Sequence, residues 1–230
     1  MYESNVFLIQ FAGGSFLSYN FLLPHLNKFN LYALELPGRG KRIREKILHD
    51  MEEAKNDVLK QMIKNIIPGK SIIFGHSLGA MLGFLVTSEL EKINLNPKAI
   101  ILTGQAGIGI NSTKKIHDFS KSDFKEELKT MGGMPSEFFN NEQLFDFYEP
   151  ILRADIKLSY DISLLNNIHI KTPIHAIMGS AEPDSINIMN WANYTSGNFR
   201  HELMSGDHFF IFNNPDKITR IIEMYARDLY

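Results

Sequence analysis

Ile72-Ile73-Phe74-Gly75-His76-Ser77-Leu78-Gly79-Ala80 is the stretch on which the reading of this chain turns. A Gly-x-Ser-x-Gly run lifts its serine onto a turn so tight that the residues two before and two after it nearly touch. Gly75 and Gly79 are small enough for that approach. The motif alone arises by chance in roughly one chain in ten of this length, so its surroundings carry the weight. Residues 71–74 read as a short buried strand, and Leu78, Met81, Leu82, Leu85 and Val86 recur at helical spacing just beyond. Strand, tight turn and helix in that order make Ser77 a candidate nucleophile.

Outward from this run, short β-rich apolar stretches alternate with amphipathic ones. Strands are expected at 6–10, 31–34, 71–74, 99–103, 174–178 and 199–203, and helices near 19–27, 51–66, 78–93, 186–195 and 215–229. This alternation implies an α/β domain, residues 1–230, with a mostly parallel sheet covered by helices on both faces. Sites in such sheets form at the carboxyl ends of the strands. The alternation breaks over about 111–171, where helices follow one another without a strand, and this block is expected to be an inserted helical lid. It is rich in aromatic and Met side chains. Most of these should pack the lid onto the body, while Met131, Met134, Phe138, Phe139 and Phe145 are candidates to line an apolar channel above Ser77.

A serine hydroxyl needs a base to remove its proton, and the base needs a third group to fix its tautomer. In serine elbows the chain order is serine, acid, histidine. Of eight histidines, His208 follows the last expected strand and precedes the closing helix, which is the required place. His175 and His201 fall inside strands, His76 is the elbow's own neighbour, and His25, His49, His117 and His169 lie out of order. For the acid, the loop after residues 174–178 offers Glu182 and Asp184, and either can accept the histidine's N–H. The other loop used for this purpose, 103–117, contains no Asp or Glu. Asp207 adjoins the base and reads as solvated or loop-capping. Two N–H donors must also face the developing oxyanion. Leu78 supplies one, and the permissive Phe11-Ala12-Gly13-Gly14-Ser15 loop the other, with Ala12 preferred and Gly13 second.

Composition narrows the field. With 44% hydrophobic and 22% charged residues the chain has ordinary globular proportions, and its net charge of −2 leaves no basic footprint for nucleic acid. Without cysteine there is no disulfide framework, thiolate metal site or cysteine nucleophile. The apolar run 6–11 is too short for a signal peptide's core or a membrane span, so a cytoplasmic location is expected. Gly104 to Gly109 misses the dinucleotide spacing, Lys64 stands where a phosphate-binding loop would have its first glycine, and no metal-ligand spacing is present. The run Arg39, Lys41, Arg42, Arg44, Lys46 reads as a solvated basic face, with docking of an acidic partner as the other reading.

Five stretches together resemble the type II thioesterases that accompany nonribosomal peptide and polyketide synthases: Phe11-Ala12-Gly13-Gly14, Leu36-Pro37-Gly38-Arg39-Gly40, Phe74 to Ala80, Leu152-Arg153-Ala154-Asp155 and Gly206-Asp207-His208-Phe209-Phe210. The elbow is shared by many hydrolases; the Ala-Gly-Gly loop, the Pro-Gly-Arg-Gly turn and the Leu-Arg-Ala-Asp segment are more particular. The resemblance implies an α/β-hydrolase fold with a helical lid, hydrolysing acyl groups from the phosphopantetheine arm of acyl or peptidyl carrier proteins, for editing or for release. That arm arrives with the substrate, so no cofactor of the protein's own is expected. Neither nucleic acid nor membrane is an expected partner, and the protein is expected to be a monomer. Carried over by position, Ser77 is the nucleophile, His208 the base, and Ala12 and Leu78 the oxyanion donors. The family usually has aspartate where this chain has Glu182, which leaves Asp184 as the alternative acid. Arg153 and Asp155 are expected to bond to each other within the lid or to meet substrate. A small-molecule carboxylesterase would share all these parts, and a catalytically silent binding protein of the same fold is the third reading.

Overall fold

The structure, a computed structural model, describes residues 4–110, 115–161 and 168–227. In chain order its elements are β1 (Asn5–Ile9), β2 (Asn30–Leu34), α1 (Met51–Met62), β3 (Ile72–His76), α2 (Leu78–Lys92), β4 (Ala99–Thr103), α3 (Lys121–Met131), α4 (Ser136–Asn140), α5 (Glu142–Ser159), β5 (Ile174–Gly179), β6 (Phe199–Met204) and α6 (Pro215–Ala226). The strands form one sheet in the order β2-β1-β3-β4-β5-β6, and every neighbouring pair is parallel.

Every residue of β1, β3, β4 and β5 is buried, which a strand achieves only when both faces of its sheet are covered. Side chains alternate between the two faces as the period of two requires. Phe7, Ile9, Ile73, Ile100 and Leu102 pack with α1 and α2, whereas Val6, Leu8, Ile72, Phe74 and Ile101 pack with α6. The edge strands β2 and β6 are partly exposed. Asp50 caps α1 by accepting the Glu53 amide, and Pro215 opens α6, where its missing N–H leaves no helical carbonyl unpaired.

Two expected helices take other forms. Over 19–27 the amides of Leu22, Leu23 and His25 donate to carbonyls three residues back, giving a chain of turns. Pro24 has no amide and its ring obstructs the preceding turn, so an α-helix cannot run through. The apolar residues still reach the core, since Tyr19, Leu22 and Leu26 are buried on the α6 face. The segment expected near 186–195 is a run of 3₁₀ turns, Pro183–Tyr194. It is anchored from the side: the Trp191 indole N–H donates to the Gln105 carbonyl and the Asn190 amide group to that of Ile108.

Between β4 and β5 the chain leaves the sheet for α3, α4 and α5, which share a small core of Ile116, Phe124, Leu128, Phe139, Phe145, Leu152 and Ile156. Parts of the expected lid, 111–114 and 162–167, lie outside the described residues.

At the β3–α2 turn a Cβ on Gly75 would overlap the carbonyl of Gly79, and one on Gly79 would overlap that of Ile9. Both obstacles are backbone and cannot rotate away. We expect Gly75→Ala to lower stability by about 2–3 kcal/mol, the upper range for overpacking, read as a fall in the urea midpoint at unchanged slope.

Candidate active site

Ser77 lies between β3 and α2 at φ 54° and ψ −117°, in the positive-φ region that side chains seldom adopt. Its amide donates to the Thr103 carbonyl at 2.8 Å, fixing the turn to the neighbouring strand. Leu78 is the first residue of α2, so its amide has no carbonyl of its own helix to meet and is available as a donor. Ser77 faces a cavity of about 490 Å³ that Ala12, Glu182 and His208 also line.

His208 sits on the loop after β6. Its Nδ1 lies 2.7 Å from Glu182 Oε2, and the other oxygen of Glu182 accepts the Gly179 amide at 2.7 Å. Glu182 is only 9% exposed, so these two bonds replace most of its hydration and fix its direction. An acceptor at Nδ1 leaves Nε2 able to take up a proton. Asp184 lines the same cavity but is exposed, and Asp207 Oδ1 accepts the Phe209 amide at 2.9 Å as a cap of its own loop.

His76 is buried against His208, the two ring centroids 4.8 Å apart. The Thr103 hydroxyl donates to the Gly75 carbonyl, so it accepts from His76 Nδ1 at 3.0 Å, which places the His76 proton on Nδ1. Its Nε2 is buried and meets no hydrogen-bond partner among the described residues. Burial, and secondarily the charge His208 acquires when protonated, hold the His76 pKa well below the usual histidine range. His76 is therefore a neutral wall beside His208.

The oxyanion candidates separate as well. Ala12 lines the cavity, whereas the Gly13 amide is already committed to Asp155 Oδ2 at 2.7 Å. Of the five channel candidates, Met131 lines the cavity. Phe139 and Phe145 are buried in the small core of the helical insertion, and Met134 and Phe138 pack against it. Short helices bury their apolar stripes against one another first, and Met131 lies at the end of α3 that overhangs the cavity. The apolar lining comes instead from Ala106, Ile110, Ile116, Ile156 and Met178. Ile156 continues the spacing of Leu152, which was a signal available in the sequence.

Two further expectations change. Arg153 and Asp155 do not bond: Arg153 pairs with Glu149 and donates to the His117 and Phe119 carbonyls. Asp155 receives Arg39 instead, in a bidentate pair in which both side chains are at most 2% exposed. Arg39 is thus no part of a solvated basic face, and Arg42 is engaged by Glu45 and Asp57. Among the described residues no group of three His, Asp or Glu side chains is placed to hold a metal ion, and no helix is long and apolar enough to cross a membrane.

We expect Glu182→Gln to reduce turnover by at least about a hundredfold and Asp184→Asn by less than about threefold, because only the first holds the base; the reverse ranking in kcat would reassign the acid. A second outcome follows from His76. The unfolded chain takes up a proton at this residue near pH 6.5 and the folded chain does so only at much lower pH. Its contribution is whole above about pH 6.5 and is lost as pH falls below it, by up to about 1.4 kcal/mol per pH unit. His175, lowered chiefly by burial, acts in the same direction. Urea midpoints measured from about pH 7.5 down to 5 should therefore fall, and His76→Gln should flatten the decline.

The model of the thioesterase domain family matches residues 4–229. Linear gramicidin dehydrogenase LgrE of Brevibacillus parabrevis is 26% identical over 200 residues, covering 83% of this chain and 74% of that protein. Gramicidin S biosynthesis protein GrsT of Aneurinibacillus migulanus is 25% identical over 231 residues, covering 97% and 88%. Among solved structures, the RedJ thioesterase from the prodiginine pathway of Streptomyces coelicolor superimposes with a TM-score of 0.88 at 23% identity, covering 96% of this chain and 90% of that one. With an elbow serine, a carboxylate-held histidine and a parallel sheet matched over nearly its whole length, this chain belongs to the thioesterase domain family and has the α/β-hydrolase fold.

Proposed function

We propose that the protein is a type II thioesterase that removes acyl groups from the phosphopantetheine arm of acyl or peptidyl carrier domains, in editing or release during nonribosomal peptide or polyketide synthesis. The observation that supports this most directly is the convergence of Ser77, Ala12 and the His208–Glu182 pair on one cavity beneath the helical insertion, which we read as a lid over about 111–171. GrsT, by its name a gramicidin S biosynthesis protein, and the similarly folded ClbQ from the colibactin NRPS/PKS pathway point to the same setting. The protein is taken to work in the cytoplasm, as a monomer, without a cofactor of its own.

In this reading Ser77 Oγ attacks the thioester carbonyl while His208 Nε2 takes its proton. The carbonyl electrons move onto oxygen, where the amides of Ala12 and Leu78 receive them. Collapse of the tetrahedral adduct breaks the C–S bond, and His208 returns the proton to the pantetheine sulfur. Water, deprotonated by the same imidazole, then cleaves the acyl-Ser77 ester. Glu182 stabilises the imidazolium formed in each half. A neutral His76 alongside adds no positive charge to oppose that protonation.

Mass spectrometry of an acyl-loaded carrier protein tests the reading: wild type should strip the acyl group, and Ser77→Ala should lose at least about a thousandfold of the rate. Equal rates on carrier-bound acyl groups, acyl-pantetheine and simple esters would place the protein with the small-molecule esterases instead.

A further inference from the structure

We propose that Asp155, held and neutralised by Arg39, is a positioning residue for the oxyanion loop, so that a helix of the insertion sets the rate of the chemical step. The proposal rests on Ala12 being an oxyanion donor. Residues 11–14 form a turn closed by the Gly14 amide on the Phe11 carbonyl. Gly13, at φ +73°, turns its amide away from that bond to Asp155 Oδ2 at 2.7 Å. A Cβ at Gly13 would overlap Leu152 Cδ2, so the loop lies directly on α5 and touches it at two positions one turn apart, 152 and 155. Ala12 immediately precedes this clamp. Its amide direction is set by the peptide plane it shares with Phe11 on one side and by the fixed Gly13 on the other.

Arg39 has two tasks in this arrangement. A buried carboxylate beside an oxyanion hole would by itself oppose the negative charge that develops there, and the Arg39 guanidinium cancels it. Its Nη2 reaches Asp155 Oδ1 at 2.8 Å and its Nη1 bonds Oδ2. The bidentate fork also fixes the carboxylate plane, leaving Oδ2 aimed at Gly13. Glu35 braces the far end of the same loop: its two oxygens accept the Phe16 amide at 2.9 Å and the Lys41 amide at 2.8 Å, tying the loop to the turn that carries Arg39. The hydrogen-bonded frame behind Ala12 is thus drawn from three chain segments, and Asp155 is the member supplied by the insertion.

The test separates positioning from folding. Arg39→Met/Asp155→Leu and Arg39→Met/Asp155→Asn both remove the ion pair with near-isosteric side chains, a change folded cores commonly tolerate. They differ in whether residue 155 still offers Gly13 an acceptor. We expect the Asn version to exceed the Leu version in kcat by at least about tenfold, with KM within about threefold, as for a donor displaced by a fraction of an ångström. Phosphonylation of Ser77 by a fluorophosphonate, whose tetrahedral adduct uses the same donors, should show the same ratio. Turnover is read on a p-nitrophenyl acyl ester, which needs the oxyanion donors whichever natural substrate is correct, so failure of the carrier-protein reading leaves this comparison intact. Equal kcat in the two variants, or a difference confined to KM, would overturn the proposal. Should the variants not fold, hydrogen exchange at the Gly13 amide of the wild-type protein decides: protection comparable to the strand amides supports the clamp, and exchange at the rate of an open loop refutes it.

Discussion

The seating of Gly79 against the carbonyl oxygens of Ile9 and Gln10 is the constraint on which the rest of the molecule depends. It brings the first turn of α2 against the end of β1, so that the two loops leaving adjacent strands meet at one point. The helix N-terminus, with its unpaired amides and partial positive charge, then lies beside the Ala12 loop. The strained backbone of Ser77 persists because sheet, helix and the Thr103 carbonyl hold it from three sides. Local strain of this kind needs a rigid surround, and four fully buried parallel strands provide it.

Two buried carboxylates organise what surrounds the serine, and both obey the same rule. An ionised group withdrawn from water must have its lone pairs filled. Glu182 fills them with the Gly179 amide and His208, while Asp155 fills them with the Gly13 amide and Arg39. Glu182 divides the two tasks between its oxygens, whereas Asp155 Oδ2 takes both the Gly13 amide and Arg39 Nη1 while Oδ1 takes Nη2. The first arrangement fixes the His208 ring and the second holds the loop at residues 11–14. Because Asp155 comes from α5, that helix cannot leave the body without stranding a buried charge. α3 and α4 carry no such tie to Arg39, and Met131 of α3 lines the cavity beneath them.

Much of this was legible in the residues because it depends on near neighbours. The elbow needs small residues two positions either side of a serine, and Gly75 and Gly79 stand there. Chain order put His208 forward among eight histidines, and it is this one that meets Glu182 at the cavity of Ser77. The strands and the helices α1, α2 and α6 followed from their periodicity. Where periodicity misled, a local obstacle was responsible: Pro24 denies the segment over 19–27 an α-helical path, although its apolar residues are buried as their spacing suggests. Glu182 and Asp184 stood as alternatives because two carboxylates on one short loop have equal sequence standing, and only the backbone path shows which one meets His208.

The sequence by itself determined the parallel α/β architecture and the tight turn that carries Ser77, and it put forward His208 and the Ala12 loop as candidates, since each is encoded in spacings of a few residues and in the steric demands of glycine and proline. Tertiary structure alone decided who pairs with whom. Arg39 and Asp155 are 116 residues apart; in the chain one looks like part of a basic run and the other like a partner for Arg153. Only when α5 folds back across the end of the sheet do they meet. The same folding turns Phe139 and Phe145 inward and leaves Met131 at the cavity, because packing among short helices is settled by their mutual placement, which no single helical stripe specifies.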